Sequence, residues 1–310
     1  MKIMSPVSSY QTCIQQINAG ANEIYVGMEE NTFNKISFSG RGKHNNRGNK
    51  ISPSFEELCN IVEYAHTHNV EVNFAANTIL GIGKDEMEKT YYNYVKAAIT
   101  TGVDRIIVGD LGNIIFLREK GIETPIIGSV FLSAMNVETI FFYKKYGVNR
   151  IVLPHHMTIE EIEEIKTTTD MELEIFAGVG CSNIDGRCGF LHNSGECINL
   201  GIPCKAQFRI NKDKIGTPLD STRDCLICSL IKLYNIGVDV LKIIGRDQDV
   251  NFTAAMTNIH SEMIKKIKED AELEEIDLKK SVCKISWWEN EFCKNQRCKY
   301  KNTELEKSYV

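Results

Sequence analysis

Residues 137–177 read VETIFFYKKYGVNRIVLPHHMTIEEIEEIKTTTDMELEIFA, and this stretch contains the pattern that decides the fold. Its spacing predicts a helix over Val137–Tyr146, then a short β-branched strand over Arg150–Leu153. The order of helix and strand then repeats, with a capped helix predicted over Thr158–Lys166 and a strand over Glu172–Ala177. Strands that alternate with helices are typical of parallel α/β folds.

The alternation extends in both directions from this stretch. The predicted strands are Lys2–Met4, Glu23–Gly27, Val70–Ala75, Arg105–Val108, Pro125–Val130, Arg150–Leu153, Glu172–Ala177 and Val240–Ile244. The other predicted helices cover Tyr10–Asn18, a segment that opens at Ser52, Lys84–Thr101, Asn113–Lys120, Cys225–Ile236 and Thr253–Asp270. Eight strands, each followed by a helix, predict a (β/α)8 TIM-barrel-like domain rather than a doubly wound sheet.

The composition is that of an ordinary globular chain. Of 310 residues, 43% are hydrophobic and 25% charged, which excludes wholesale disorder. The net charge of −5 argues against a generally basic surface that coats nucleic acid. No apolar stretch approaches the roughly 18 residues of a membrane span, and no secretory signal opens the sequence, so we expect a cytoplasmic protein. We divide the chain into a barrel domain, residues 1–270, and a helical, cysteine-containing tail, residues 271–310.

Cysteine is unevenly distributed. Nine of the 11 cysteines lie between Cys181 and Cys298, and the insertion after the seventh strand, residues 181–224, carries Cys181, Cys188, Cys197 and Cys204. In a reducing compartment, such a group indicates metal or iron–sulfur ligation. The spacing is wider than the paired CxxC knuckles of a zinc ribbon, but it leaves both a 4Fe-4S cluster and a structural zinc ion open.

The same insertion resembles the peptidase U32 family, whose signature has the form E-x-F-x-x-G-x-x-C followed by G-x-C. The matching positions are Glu174, Phe176, Gly178 (one residue out of step), Cys181, Gly186 and Cys188. Residues 193–197 resemble the family's N-R-G-E-C, residues 203–205 its P-C-R, and residues 237–246 its G-V-D-S-x-K-I-E-G-R. The resemblance covers roughly residues 1 to 270. The chain departs from the family at Ile244, where Glu is usual, and at His155, where Arg is frequent.

The resemblance implies a 4Fe-4S cluster held by Cys181, Cys188, Cys197 and Cys204. It also implies an oxygen-independent hydroxylase, active without air, that takes its oxygen from an organic donor such as prephenate. Members act on tRNA, rRNA or the ubiquinone ring, so RNA, a quinone or another small molecule or peptide are the expected substrates. An anionic donor requires cationic partners, for which Arg187, Lys242 and Arg246 are the candidates. His155 and His156, at the end of the sixth strand, are candidates for proton transfer.

Two other functions stay open. A U32-type, collagenase-like peptidase is disfavoured, because the sequence contains neither G-x-S-x-G nor H-E-x-x-H. A noncatalytic iron–sulfur subunit is the other alternative, since short members of the family resemble paired subunits. We therefore expect a homodimer, or a heterodimer with another U32 protein.

A second group of thiols lies near the carboxyl terminus. Cys225 and Cys228 form a CxxC motif near the start of a predicted helix, where the helix N-terminus lowers a thiol pKa, so that redox activity and metal binding are both open. With Cys293 and Cys298, they can form a second cluster or zinc site. The alternative is a pair of half-buried core cysteines. The adjacent tryptophans, Trp287 and Trp288, are expected to anchor the tail to the barrel.

Overall fold

Eight parallel strands close into a barrel in the computed structural model. The structure describes residues 1–30, 52–78, 85–178, 207–210, 214–216, 225–245 and 249–300. In chain order, the strands are β1 (Lys2–Pro6), β2 (Glu23–Val26), β3 (Glu71–Ala75), β4 (Arg105–Val108), β5 (Ile126–Gly128), β6 (Val148–Val152), β7 (Glu172–Ala177), β8 (Phe208–Ile210), β9 (Lys214–Gly216) and β10 (Val240–Ile243). The barrel order is β1-β10-β7-β6-β5-β4-β3-β2, and β8 and β9 form a separate antiparallel hairpin.

Helices connect the successive barrel strands. They are α1 (Tyr10–Asn18), α2 (Phe55–Thr67), α3 (Asp85–Thr100), α4 (Leu111–Glu119), α5 (Val137–Lys145), α6 (Ile159–Thr168), α7 (Leu230–Ile236) and α8 (Val250–Glu269). The tail adds α9 (Glu275–Cys283), a helical turn Ser286–Trp288 and a π-helical turn Glu289–Cys293. Of the helices in the described ranges, none has the length and apolar character needed to cross a membrane.

Local sequence signals fix where these helices begin and end. Thr158 and Glu161 form a capping box at the start of α6, because each side chain bonds the backbone N–H of the other residue. Asp249 caps α8 by accepting hydrogen bonds from two backbone N–H groups of its first turn. Gly237 ends α7 at a φ of 90°, a left-handed conformation in which glycine has no steric penalty.

The main hydrophobic core lies between the barrel and its helices. Outward-facing strand residues such as Ile24, Val72 and Leu173 are fully buried there against the helices. Trp288 and Phe292 of the tail belong to the same buried cluster. A second, smaller cluster fills the barrel interior, and its members are Met4, Tyr25, Ile107, Ile127, Val152, Phe176 and Val240. Period-two alternation along each strand produces these two faces.

The predicted (β/α)8 barrel is confirmed, with small shifts of element bounds. The hairpin β8–β9 was not predicted, because its two strands of three residues each lie within the cysteine-rich insertion. The predicted helix Cys225–Ile236 is shorter, since a 3-10 turn over Ile227–Ser229 precedes α7. Trp288 is fully buried and packs edge-on against His260 of α8, so the expectation that it anchors the tail is confirmed. The division into residues 1–270 and 271–310 stays a prediction.

Candidate active site at the carboxyl end of the barrel

A layer of buried charges crosses the interior of the barrel. Arg150 on β6 donates to both carboxylate oxygens of Glu23 on β2, at 2.6 and 2.9 Å. It also donates to Glu172 at 2.9 Å and lies 3.4 Å from an oxygen of Glu174, both on β7. Because β2 and β6 are not neighbours in the sheet, the pair with Glu23 spans the barrel. This layer therefore forms a floor beneath the carboxyl end.

The charges of this floor are mutually compensated. Burial raises the pKa of Glu23, but the hydrogen bonds and charge of Arg150 outweigh it and lower that pKa to about 2. Burial alone would lower the pKa of Arg150, but the carboxylates around Arg150 have the larger effect, so that its pKa is raised. Asn73 on β3 also donates to Glu23 at 2.9 Å. Both members of the pair are thus ionised at neutral pH, and neither is left without compensation in the interior.

Lys242, on β10, lies nearer the carboxyl end of the barrel than the charged floor does. Its ammonium donates to Glu174 at 2.7 Å and is 4.7 Å from the centre of the Tyr25 ring. The side chain is buried, with only 8% of its surface exposed. Carboxylate and aromatic ring together stabilise a cation away from bulk water. The structure therefore places a fixed positive charge beside the apolar layer of the barrel, and its role towards an anionic donor stays a prediction.

The two histidines predicted together occupy different environments. His155 is buried and stacks on Phe176, with ring centroids 4.2 Å apart and planes 11° from parallel. His156 is exposed on the turn that follows β6. Phe176 is a member of the interior cluster, so the stack positions His155 at the carboxyl end of β7. Of the two, His155 is the residue held at the barrel's interior.

The chain's tail returns to the same strand end. Lys299 donates from its ammonium to the backbone carbonyl of Phe176, at 2.7 Å. Its backbone N–H bonds Cys225 O at 2.8 Å, next to a parallel bridge between Cys225 and Cys298. The chain that runs on from β7 leads within a few residues to Cys181. Residues 298–300 thus lie beside the strand from which the cysteine-rich insertion begins.

The remaining predicted site residues lie outside the described residues. These are Cys181, Arg187, Cys188, Cys197, Cys204 and Arg246. Within the described part of the chain, no three His, Cys, Asp or Glu side chains are already arranged to hold a metal ion. The predicted cluster ligands therefore stay a prediction.

The prediction that the CxxC motif has a lowered thiol pKa was wrong. Burial raises the pKa of Cys225 to about 12 and also raises that of Cys228. A 3-10 turn of three residues begins at Ile227, so Cys225 lies outside it, and desolvation of the thiolate dominates. Both thiols are therefore neutral in the absence of a metal, and thiolate-driven redox activity is not favoured.

Sequence reasoning missed Arg150, Glu23 and Lys299 as site residues. The signal for the first two was a charged residue within a short strand whose other residues are mostly apolar. The contact of Lys299 has no local signal, because it joins residues 123 positions apart in the chain.

Comparison with known proteins assigns the family. The model of peptidase family U32 matches residues 8–303, nearly the whole chain. This chain belongs to peptidase family U32. One solved structure, of a U32 peptidase, superposes with a TM-score of 0.52 at 14% identity, over 79% of this chain and 93% of that one, which supports the shared barrel fold.

Three relatives of this chain carry different functional names. An uncharacterized protease of Methanocaldococcus jannaschii is 28% identical, over 92% of this chain and 70% of its own length. The tRNA hydroxylation protein P of Escherichia coli is 26% identical, over 69% of this chain and 45% of its own length. The 23S rRNA 5-hydroxycytidine C2501 synthase of the same organism is 26% identical, over 87% of this chain and 40% of its own length. This U32 chain therefore spans less than half of either RNA-hydroxylation relative.

Proposed function

We propose that this U32 protein is an iron–sulfur-dependent, oxygen-independent hydroxylase-like enzyme that acts on RNA. The observation that carries the proposal is its similarity to relatives named for tRNA and rRNA hydroxylation, which extends over 69% and 87% of the chain. The barrel adds a physical basis, because TIM-type barrels place their chemistry at the carboxyl ends of the strands. The buried Lys242 and His155 both lie there.

The donor set fits the proposed cofactor. Cys181, Cys188, Cys197 and Cys204 supply four thiols from one segment that begins after β7, and four thiolates are the usual ligand set of a 4Fe-4S cluster. When bound, such a cluster, with a thiolate on each iron, would supply one-electron transfer. A structural zinc ion is the alternative occupant of the same four thiols.

The chain's own residues bind the oxygen donor and move protons. We assign Lys242, Arg187 and Arg246 to the carboxylates of an anionic donor such as prephenate. Glu174 and the Tyr25 ring hold the Lys242 ammonium in place, so this charge is positioned before the donor arrives. The Phe176 ring fixes the plane of His155, which is then oriented to accept or return a proton at the strand end.

The exchange of oxygen balances without molecular oxygen. A C–H bond of the RNA base becomes C–OH and loses two electrons, whereas a C–OH bond of the donor becomes C–H and gains two. A base within a duplex is not accessible to a barrel end, so we expect a single-stranded or flipped-out nucleotide as substrate.

Deletion of the gene in its host organism tests this function. Mass spectrometry of nucleosides from total tRNA and rRNA is expected to show the loss of at least one nucleoside that carries an added oxygen atom. The wild-type gene and the matched Cys59→Ala variant, altered in the half-buried thiol of α2, should restore it, whereas Cys181→Ala should not. An unchanged set of nucleosides in the deletion strain, or full restoration by Cys181→Ala, would contradict the proposal.

Peptidase activity is the second candidate, because relatives carry protease names. A collagenase of Porphyromonas gingivalis is 24% identical, over 85% of this chain and 65% of its own length. Incubation of the purified protein with gelatin separates the two functions. We expect no cleavage beyond that of a mock purification, since thiols bound to iron are not available for acyl transfer.

A further inference from the structure

An exposed tryptophan lies where the tail packs against the barrel. Trp287 has 37% of its surface exposed, whereas the adjacent Trp288 is fully buried. The ring of Trp287 meets that of the half-buried Phe252 on α8, with centroids 5.9 Å apart and planes at 61°. We refer to Trp287 and Phe252 together as the aromatic platform.

The aromatic platform lies at the carboxyl end of the barrel. Phe252 is in the first turn of α8, the helix that follows the carboxyl end of β10. One turn further along α8, Met256 packs against Gly178, where an added Cβ would lie 2.4 Å from the Met256 Cε. Gly178 directly follows β7 and is two residues from Phe176, which stacks on His155. The platform is therefore close to the strand end that carries the candidate site.

Attachment of the tail does not account for the exposed ring. Trp288 supplies the attachment, because it is buried between His260 of α8 and Phe292 of the tail. Trp287 meets Phe252 and Trp288 at steep angles of 61° and 65°, so neither neighbour covers its ring as a parallel stack would. The buried tryptophan thus fixes the position of Trp287, while the Trp287 ring stays accessible to a planar ligand.

The segment around the aromatic platform is positively charged. Residues 278–300 contain six Lys or Arg and two Glu, although the whole chain has a net charge of −5. Both glutamates form ion pairs within the segment. Lys279 and Lys284 are exposed, and neither has a carboxylate partner among the residues that the structure describes. On the facing helix, the carboxylate of Asp249 accepts hydrogen bonds from the N–H groups that it caps.

An accessible aromatic ring beside unpaired cations suits single-stranded nucleic acid. Every base has a π-face, and proteins commonly hold unpaired bases by stacking them on aromatic side chains. The phosphates of the same strand are bound by lysine ammonium groups. A protein partner would favour a different composition, because lysine is depleted from protein–protein interfaces. Lys279 and Lys284 therefore favour a nucleic acid as the occupant of this surface.

We propose that the aromatic platform stacks a base of single-stranded RNA next to the nucleotide that enters the barrel, while Lys279 and Lys284 bind the phosphates of that strand. This inference rests on the proposed RNA hydroxylase function and adds the surface that holds the strand beside the site. Trp287 contacts a flanking base and not the reacting one, so it contributes to affinity and not to the chemical step. Because stacking tolerates every base, the contact selects an unpaired strand rather than a sequence.

Fluorescence anisotropy tests the stacking contact. The full-length protein, purified without oxygen, is titrated into a fluorescein-labelled single-stranded RNA of about 12 nucleotides. Trp287→Ala should weaken binding by about 5- to 150-fold, the range for stacking of one base, and Trp287→Tyr should retain most of the affinity. Phe141→Ala is the matched control, because this ring on α5 is 42% exposed, and it should bind as the wild type does.

The salt dependence of the same titration tests the two lysines. Each phosphate contact to a single strand contributes about 0.7 to the fall of log affinity with log salt concentration. The double variant Lys279→Ser and Lys284→Ser should therefore reduce this slope by about 1.4. Lys265→Ser with Lys268→Ser, at exposed positions near the opposite end of α8, should leave it unchanged.

Tryptophan fluorescence reports on the contact in the unaltered chain. Trp287 is the exposed member of the two tryptophans, so bound RNA should quench its emission and shield it from acrylamide. An oligomer of equal length without bases should do neither, because its phosphates bind but nothing stacks. This measurement does not depend on the folding of any variant.

Four results would overturn the proposal. They are no binding of the RNA by the wild type, equal affinity of Trp287→Ala and wild type, a loss that Trp287→Tyr does not reduce, and equal quenching by the oligomer without bases. Sedimentation adds a further arm, since a dimer that Trp287→Ala dissociates without weakening RNA binding would make the platform a contact between copies. The hydroxylase proposal is decided separately, by the nucleosides of the deletion strain.

Discussion

Replacement of Arg150 by methionine should destabilise the barrel more than any loss of a surface ion pair. Arg150 is 1% exposed and bonds Glu23, which is fully buried. The pKa of Glu23 falls from 4.5 to about 2, which corresponds to about 3 kcal/mol of stabilisation of its ionised form. Removal of one partner of a buried pair costs about 3–5 kcal/mol, because the remaining charge loses its main compensation; at Glu23, only the ammonium of Lys2, at 3.2 Å, and the amide of Asn73 remain. We therefore expect the free energy of unfolding at pH 7 to fall by about 3–5 kcal/mol.

The pH dependence of stability gives a second measure of the same pair. Because the pKa of Glu23 is lower in the folded state, its contribution is complete above about pH 4.5 and is lost as the pH falls towards about 2. The wild type should lose this stability over that range. Arg150→Met should lose much less over the same range, since the largest cause of the lowered Glu23 pKa, the hydrogen bonds and charge of Arg150, is gone.

Urea unfolding, followed by the fluorescence of the buried Trp288, is the assay. Lys144→Met is the matched control, because Lys144 is 45% exposed and pairs with the exposed Asp170, so its removal should change the free energy of unfolding far less. Adding Glu23→Gln to Arg150→Met should recover part of the loss, since the buried charge disappears. A loss below about 1 kcal/mol for Arg150→Met, or further destabilisation by Glu23→Gln, would refute this account of the barrel floor.

Two further perturbations test the packing around this floor. Burial lowers the pKa of His260 to about 4, so below pH 6.5 the unfolded chain binds a proton more readily than the folded chain does. About 3 kcal/mol of the free energy of unfolding should therefore be lost between pH 6.5 and 4. In urea titrations over this range, His260→Gln should reduce the dependence of the free energy of unfolding on pH, whereas His66→Gln, at an exposed histidine, should not. Gly128→Ala places a Cβ 2.5 Å from Ile151 Cδ1, so we expect a loss of about 1–3 kcal/mol, and an unchanged melting temperature would contradict this close contact.

Much of the barrel could be predicted from the sequence, because its signals are local. The capping box of Thr158 and Glu161 and the glycine that ends α7 mark element boundaries within a few residues. The regular alternation of strands and helices then leaves few topologies, and right-handed crossovers close the barrel. The hairpin β8–β9 carries no such signal, since strands of three residues are too short to show a period.

The chemistry of the site was less predictable, because it depends on closure of the barrel. Arg150 and Glu23 are 127 positions apart, and only the closed sheet shows that a strand arginine has a carboxylate opposite it. The raised pKa of Cys225 was missed for a similar reason. Proximity to a helix start is visible in the sequence, whereas the tail segment that buries the thiol is not.

Phe176 links the two halves of the proposed machinery. Its ring stacks on His155, and its backbone carbonyl accepts a hydrogen bond from the ammonium of Lys299. Two residues before it on β7, Glu174 holds Lys242 from the floor of the barrel. The end of β7 is therefore restrained at the ring and the carbonyl of Phe176 and at the side chain of Glu174, so it has little freedom to shift. Because the segment with Cys181 follows β7 in the sequence, the proposed cluster would be attached next to a restrained point of the barrel.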